Sequence, residues 1–276
     1  MTAQAFDVRA TQIASFQVTC EDSEQRAGLS PSGNWLALSC GHAPNQTMKI
    51  VSQDGIQWIL QFKDYLADDF SPDGSIPRGN LYPKHWTNDE KYLYFISYVA
   101  IDEGGTCFYS GGVGVQGLFR INLQTGAVST TLALSSSPDD GYEIAFSPDG
   151  RMLAYAREQP VILNMITGEN IYIEVGDSFV GGLSWSPDSS ELAYATCLQT
   201  QDGREIERST VEIFSLETRV VKTILEVERV FLNIELRGEN NLLRISSVDS
   251  DTHETSYLFF EWFSEKFTTP TPTSFP

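Results

Sequence analysis

The side chains with the clearest chemical potential in this sequence are carboxylates and histidines that stand outside its regular repeats. The chain has three histidines. None accompanies a Gly-x-Ser-x-Gly elbow or another nucleophile motif, so a Ser-His-Asp hydrolase has no local support. Acid/base or metal chemistry would need groups brought together from distant positions, and the candidates are His85, Asp140, Asp177 and Glu228. We therefore predict no catalytic residue, metal ligand or cofactor. A divalent cation is a possible partner that no motif supports.

One turn sequence recurs along the chain and indicates the elements that must position any site. Phe146-Ser147-Pro148-Asp149-Gly150 leads to Leu153-Ala154-Tyr155, and Trp185-Ser186-Pro187-Asp188-Ser189 leads to Leu192-Ala193-Tyr194. Proline presets φ, aspartate hydrogen-bonds the backbone just beyond it, and glycine accepts left-handed geometry, so each copy predicts a tight turn between antiparallel strands. The turn aspartates are interpreted as structural, because the calcium-loop pattern is absent.

Five copies keep the same spacing between the residue that opens the turn and the leucine of the next strand. These pairs are Leu29 and Leu36, Trp86 and Leu93, Phe146 and Leu153, Trp185 and Leu192, and Leu236 and Leu243. A second hairpin follows most copies, which gives four antiparallel strands per unit. The predicted fold is therefore all-β: a β-propeller of four-stranded antiparallel blades, with five blades favoured and six as the alternative.

The repeats also predict the limits of the domain. A single propeller domain is expected over residues 1–267, and the Thr/Pro-rich residues 268–276 are expected to be a disordered tail. Residues 63–82 are interpreted as a long connection, because Pro77 falls where a strand leucine should stand; a degenerate sixth blade is the competing interpretation. The last blade shows three strands, and residues 12–19 are predicted to supply its fourth by pairing the two chain ends.

The Trp/Phe-Ser-Pro-Asp-Gly units followed by Leu-Ala-Tyr resemble the repeats of TolB-like and WD-repeat-like β-propellers, and also the propeller of prolyl oligopeptidases. The resemblance covers roughly residues 28–264 and is specific for fold, since the repeated residues are those that the scaffold itself requires. It implies a six- or seven-bladed propeller that serves protein–protein interaction, with a periplasmic location for TolB itself. This chain departs from that pattern in showing five clear units.

Charge and cysteine content narrow the classes of partner and compartment. The formal net charge of −19 repels phosphate backbones and anionic lipid surfaces, so nucleic acid and membrane insertion are not expected. Four cysteines show no zinc-type spacing and are expected to be free thiols, since a disulfide would require an oxidising compartment. The sequence as written lacks a secretory signal and indicates a cytoplasmic location, with a periplasmic or extracellular one as the alternative for a trimmed chain.

The propeller topology predicts which face binds. The Pro-Asp-Gly turns lie on one face, whereas the loops between second and third strands and the connections between blades lie on the other. The ligand-binding residues predicted on this loop face are Tyr82, His85, Tyr109, Asp140, Tyr142, Asp177, Arg204 and Arg229. The favoured function is a non-catalytic scaffold that presents this face to a protein or peptide. The alternative is a lyase or hydrolase that acts on a small or carbohydrate-like substrate at the channel mouth.

Overall fold

A computed structural model places the described residues in five antiparallel sheets of four strands each. The described residues are 13, 15, 16, 18, 20, 26–41, 45–55, 57–66, 79–100, 113–133, 143–156, 159–200, 205–228, 230–237, 242–249, 255–262 and 266–268. Within every sheet the strand order follows the chain order, so each sheet is a meander of neighbouring antiparallel strands. The prediction of an all-β chain built from four-stranded units is confirmed.

The strands have the following bounds. Sheet 1 contains β1 (Arg26–Leu29), β2 (Trp35–Cys40), β3 (Thr47–Ser52) and β4 (Gln57–Gln61), and a 3-10 turn (Phe62–Tyr65) follows it. Sheet 2 contains β5 (Gly79–Trp86), β6 (Tyr92–Ala100), β7 (Val113–Asn122) and β8 (Val128–Ala133). Sheet 3 contains β9 (Glu143–Phe146), β10 (Met152–Ala156), β11 (Pro160–Asn164) and β12 (Asn170–Tyr172). Sheet 4 contains β13 (Phe179–Trp185), β14 (Glu191–Gln199), β15 (Ile206–Ser215) and β16 (Val221–Glu228). Sheet 5 contains β17 (Val230–Arg237), β18 (Leu242–Asp249), β19 (Thr255–Glu261) and β20 (Lys266–Thr268).

The equally spaced pairs of the sequence repeats lie directly opposite each other in the first hairpin of each sheet. The paired residues are Leu29 and Leu36, Trp86 and Leu93, Phe146 and Leu153, Trp185 and Leu192, and Leu236 and Leu243. Each of the five strand leucines is at most 1% exposed. The recurring turn therefore aligns one buried leucine per sheet, which confirms its predicted structural role.

The carboxylates of the turn aspartates accept hydrogen bonds from groups of their own turns. Asp188 accepts hydrogen bonds from the Ser186 hydroxyl at 2.7 Å and the Ser190 N–H at 3.1 Å, and Asp149 accepts one from the Ser147 hydroxyl at 2.6 Å. The bond from Ser186 is the largest influence that holds the pKa of Asp188 below its usual value. At Asp149 burial opposes ionisation, yet the hydrogen bonds still lower the pKa. These carboxylates stabilise turns, as the sequence analysis predicts.

The sheets group into two compact units, of which the first contains sheets 1 and 2. Two hydrogen bonds from the backbone N–H and hydroxyl of Ser32 reach the Glu90 carboxylate, each at 2.7 Å, and the Trp58 indole N–H donates to the Leu123 carbonyl at 3.0 Å. The core between the two sheets includes Ala37, Met48, Ile50, Leu81, Leu93, Phe95 and Ile121. Sheet 1 is thus held to sheet 2 by apolar burial and by bonds at the sheet ends.

The second unit contains sheets 3, 4 and 5. The Trp185 indole N–H donates to the Ala145 carbonyl at 3.0 Å, and the Leu183 N–H donates to the Glu143 carboxylate at 2.9 Å. Each of these bonds joins residues forty positions apart. Trp185 is 2% exposed and belongs to a buried cluster formed by residues of both sheets. The first strands of sheets 3 and 4 are therefore joined by these two bonds and by this cluster.

Two boundaries differ from the sequence prediction. Strand β5 begins at Gly79, so the end of the predicted long connection is a strand; a register shift between Pro83 and His85 accommodates the proline. The fourth strand of sheet 5 is β20. It takes the place predicted for residues 12–19, of which the described residues 13, 15, 16 and 18 belong to no strand, and the pairing of the two chain ends stays a prediction.

The expectation of free thiols is also wrong. Cys20 and Cys40 form a disulfide with a Cα–Cα distance of 5.2 Å, and Cys197 is disulfide-bonded as well. The distance lies in the usual range for disulfides. The spacing of the cysteines in the sequence could not decide their pairing, because the bond links the segment before sheet 1 to the end of β2.

One outer turn carries a strained residue where its counterparts carry glycine. Gly126, Gly168 and Arg219 occupy the same position in the turns that precede β8, β12 and β16, with φ values of 72°, 77° and 60°. Left-handed geometry costs a non-glycine residue about 1–2 kcal/mol, partly offset by the greater flexibility of glycine in the unfolded chain. We expect Arg219→Gly to raise the free energy of unfolding by about 0.5–1 kcal/mol. Urea denaturation would check it, and a loss of stability would contradict it.

Candidate functional site

Three of the eight predicted ligand-binding residues belong to the described part of the chain. Tyr82 and His85 lie in the first unit and Asp177 lies in the second. The other five are Tyr109, Asp140, Tyr142, Arg204 and Arg229, and they lie outside the described residues. Of these three residues, Tyr82 and His85 therefore lie together on one strand, whereas Asp177 belongs to the other unit.

Tyr82 and His85 stand within strand β5, and not in a connection between sheets as the sequence analysis expects. Tyr82 is opposite Ile96 and His85 is opposite Tyr94, so both side chains share the face of sheet 2 that carries Tyr94 and Tyr98. The rings of Tyr82 and Tyr98 stack with centroids 4.3 Å apart, and their hydroxyls are hydrogen-bonded at 2.6 Å. The bulge at Pro83 makes this sharing possible, because it moves His85 onto the face of Tyr82.

This face of sheet 2 combines aromatic rings with a cation. The Arg120 guanidinium lies 4.5 Å from the centroid of the Tyr92 ring, and the His85 and Tyr94 rings are 6.4 Å apart. Tyr82, His85 and Tyr98 are half-buried. Such a surface is suited to stacking and hydrogen bonding, since it offers ring faces and hydroxyls.

Asp177 lies in the connection before β13, at the end of sheet 4 where β14 ends and β15 begins. Phe179 opens β13 opposite Cys197, which is opposite Ser209 in β15. The exposed carboxylates at this end are Glu174, Asp177, Glu205, Glu207, Glu226 and Glu228. Arg208 is 4.0 Å from Glu226, and both side chains are about half exposed. We call Phe179 with these carboxylates the acidic end of sheet 4.

A polar row beside the acidic end is buried and structural. The hydroxyls of Thr196 and Thr210 are 2.7 Å apart, and Thr210 also donates to the Glu212 carboxylate at 3.2 Å. Burial raises the pKa of Tyr194, and the charge of Glu212 opposite it adds to that shift. Both effects favour the protonated form of Tyr194.

The described residues hold neither a metal-binding cluster nor a membrane-spanning helix. Among them, no group of three or more His, Cys, Asp or Glu side chains could hold a metal ion. None of the helices in the described part of the chain is long and apolar enough to cross a bilayer. The expectation of a possible divalent cation stays a prediction.

A cavity lies where the sequence analysis expects only structural turns. It has a volume of about 260 Å³ and is lined by Glu191, Ile213, Ser215, Thr218, Val220, Lys222, Phe260 and Trp262. These residues come from the turn end of sheet 4 and from the end of β19 in sheet 5. No local sequence signal marks the cavity, because it arises from the packing of two sheets.

Comparisons with known proteins identify the type of fold. No family model matches the sequence. No curated protein matches it. An oligogalacturonate lyase in complex with manganese superimposes with a TM-score of 0.54 and 14% identity, over 93% of this chain and 68% of the lyase. A structure titled as a putative TolB from Agrobacterium tumefaciens superimposes with a TM-score of 0.49 and 12% sequence identity, over 89% of this chain and 79% of that protein. TolB of Acinetobacter baumannii superimposes with a TM-score of 0.42 and 13% sequence identity, over 83% of this chain and 52% of that TolB.

The likeness to the lyase shows a propeller-type, all-β fold. The predicted propeller is thus confirmed at the level of fold type, while the number of blades and the closure of the ring stay predictions. Fold alone does not decide function, because propellers carry both binding and catalytic sites.

Proposed function

We propose that the chain is a non-catalytic binding module whose acidic end of sheet 4 holds a protein or peptide partner with basic side chains. The observation that carries the proposal is the exposure of Phe179. Its surface is 52% exposed, although every other residue of β13 is buried. An aromatic ring left open at the rim of a rigid sheet is the residue type that anchors protein interfaces.

Charge favours a basic partner. Six exposed carboxylates lie at or next to this end, and Arg208 is the basic residue that the described segments place among them. The whole chain carries a formal charge of −19, which accelerates the approach of a cationic surface and repels an anionic one. Phe179 would contribute apolar contact and the carboxylates would select the partner.

Site-specific photo-cross-linking tests this proposal. Phe179 is replaced with p-benzoylphenylalanine and the protein is irradiated in an extract of its native cells. Tyr172 on β12, which is 60% exposed, provides the matched control position. We expect a discrete cross-linked protein from position 179, absent from position 172, whose yield falls as salt screens the carboxylates. Equal products from both positions, or none from position 179, would contradict the proposal.

The alternative function is catalysis on a small or carbohydrate-like substrate. Its support is the fold shared with the oligogalacturonate lyase, which binds manganese. The two functions are separated by titrating the protein with Mn²⁺ in a calorimeter and assaying oligogalacturonate cleavage with the metal present. The binding proposal predicts no cleavage. Turnover of oligogalacturonate would contradict that proposal and support a lyase activity.

The remaining features of the proposal concern assembly and compartment. We propose that each sheet is one blade, which makes five blades, as the repeats predict. Disulfides persist in oxidising surroundings, so the bond between Cys20 and Cys40 supports a periplasmic or extracellular location. A partner in such a compartment would be a secreted or envelope protein.

A further inference from the structure

Strand β4 is an edge strand without the features that usually block pairing with another chain. It is the last strand of sheet 1, so one side of its backbone has no neighbouring strand among the described residues. Proteins protect such edges with short strands, bulges, prolines or charged side chains, because an open edge pairs with further strands. The segment Gln57–Gln61 contains no charged residue and no proline, and its pairing with β3 has no register shift.

The other edge strands of the described sheets all carry a protective feature. Strands β12 and β20 have three residues each, whereas β1 and β9 have four, of which one is charged. Register shifts interrupt the pairing of β5, β8, β13 and β16. The remaining edge strand, β17, contains Glu235 and Arg237. The unprotected edge of β4 is therefore an exception among these sheets, which favours a role in pairing.

The backbone groups at this open edge follow from the hydrogen-bond pattern of the hairpin. The Phe62 N–H donates to the Gln46 carbonyl at 2.9 Å, so these two residues form a hydrogen-bonded pair. Hydrogen-bonded and non-hydrogen-bonded pairs alternate along antiparallel strands. By this alternation and the register with β3, the backbone N–H and carbonyl groups of Gln57, Ile59 and Gln61 point away from β3. They are available to another strand.

The edge is held in place from its inner side. Leu60 belongs to the core between sheets 1 and 2, and Trp58 packs against that core. The Trp58 indole N–H also donates to the Leu123 carbonyl in sheet 2. Ile59, between them, is 53% exposed. The strand is thus fixed, while its central residue presents apolar surface at the open edge.

The sequence of β4 is self-complementary. Gln-Trp-Ile-Leu-Gln places glutamine at both ends and an apolar residue on each side of Ile59. In an antiparallel pair with a two-fold axis at Ile59, glutamine lies opposite glutamine, Trp58 opposite Leu60, and Ile59 opposite itself. A symmetric dimer interface requires such a match of a surface with itself. The chain has a formal charge of −19, but no like charges within β4 would meet across this pair.

We propose that β4 pairs with β4 of a second copy of this chain in an antiparallel, two-fold symmetric dimer. The outward N–H and carbonyl groups of Ile59 bond to those of the other Ile59, and Gln57 bonds in the same way to Gln61. The pair involves five residues of each copy, against roughly 20–30 per side in a standard interface, so the dimer is weak and reversible.

Analytical ultracentrifugation over a range of protein concentrations tests the proposal. The wild type is expected to dimerise as its concentration rises. Ile59→Lys should weaken the dimer at least about tenfold, because residue 59 lies on the axis and two lysines would stand directly opposite each other. Ile166→Lys is the matched control, since Ile166 is 74% exposed and lies in the turn between β11 and β12. This control should dimerise as the wild type does.

Two further measurements locate the contact. Amide hydrogen exchange at Ile59 and Gln61 should slow as concentration rises, while exchange along β8 stays unchanged. Added salt should strengthen the dimer, because it screens the repulsion between two acidic chains, whereas it weakens binding of a basic partner. A monomer at concentrations up to about 1 mM would overturn the proposal. A dimer that leaves these two amides unprotected, or that Ile59→Lys and Ile166→Lys affect equally, would also overturn it.

Discussion

Replacing Trp185 with alanine is expected to lower the free energy of unfolding by about 3–5 kcal/mol, the range for large buried aromatic side chains. The ring is 2% exposed and lies in the cluster that joins sheet 3 to sheet 4. Its removal leaves a void and also leaves the Ala145 carbonyl without the indole N–H that it accepts at 3.0 Å. Chemical denaturation followed by circular dichroism would measure the change.

Two controls separate packing from other effects of the Trp185 substitution. Trp185→Phe keeps most of the apolar volume but loses the N–H, so its cost should be well below that of alanine. Tyr172→Ala removes an aromatic ring that is 60% exposed and should change stability by no more than about 0.5 kcal/mol. If Trp185→Ala also stays within that limit, the contact between sheets 3 and 4 is not the anchor described above.

Removing the disulfide between Cys20 and Cys40 is expected to lower the free energy of unfolding by about 2–4 kcal/mol. The bond closes a loop with a sequence separation of 20, and such a cross-link restricts the unfolded chain. It also ties the segment before sheet 1 to the end of β2. The measurement is a comparison of the wild type with a Cys20→Ser/Cys40→Ser variant by denaturation under oxidising conditions.

Reduction provides the control for the disulfide. A thiol reductant should destabilise the wild type by more than it destabilises the double variant, since the variant lacks one of the bonds that the reductant breaks. Equal stability of the two proteins under oxidising conditions would mean that the disulfide does not stabilise the fold.

The parts of the fold that could be predicted from the sequence are those with a local cause. The recurring turn places proline, aspartate and glycine at fixed positions, and these residues act on the neighbouring backbone. The five pairs, each of which includes one strand leucine, followed from that spacing, and the structure places the two residues of each pair opposite each other in a hairpin. Burial of the leucines was implied by the apolar composition of the strands.

The parts that could not be predicted depend on distant contacts or on very short elements. Strand β20 has three residues, Lys266–Thr268, too few for a periodic signal. Pro83 disfavours a strand, and only the bulge beside it explains why β5 continues to Trp86. The cavity beside Trp262 and the pairing of Cys20 with Cys40 arise from tertiary contacts that leave no local pattern.

The central claim is that the acidic end of sheet 4 is a binding surface anchored by Phe179. The most direct test is the dissociation constant of the partner captured through position 179, measured for the wild type, Phe179→Ser and Tyr172→Ser. The account predicts that Phe179→Ser binds at least about tenfold more weakly, in keeping with an anchor residue, while Tyr172→Ser binds as the wild type does. Equal affinity of all three proteins for the partner would contradict it.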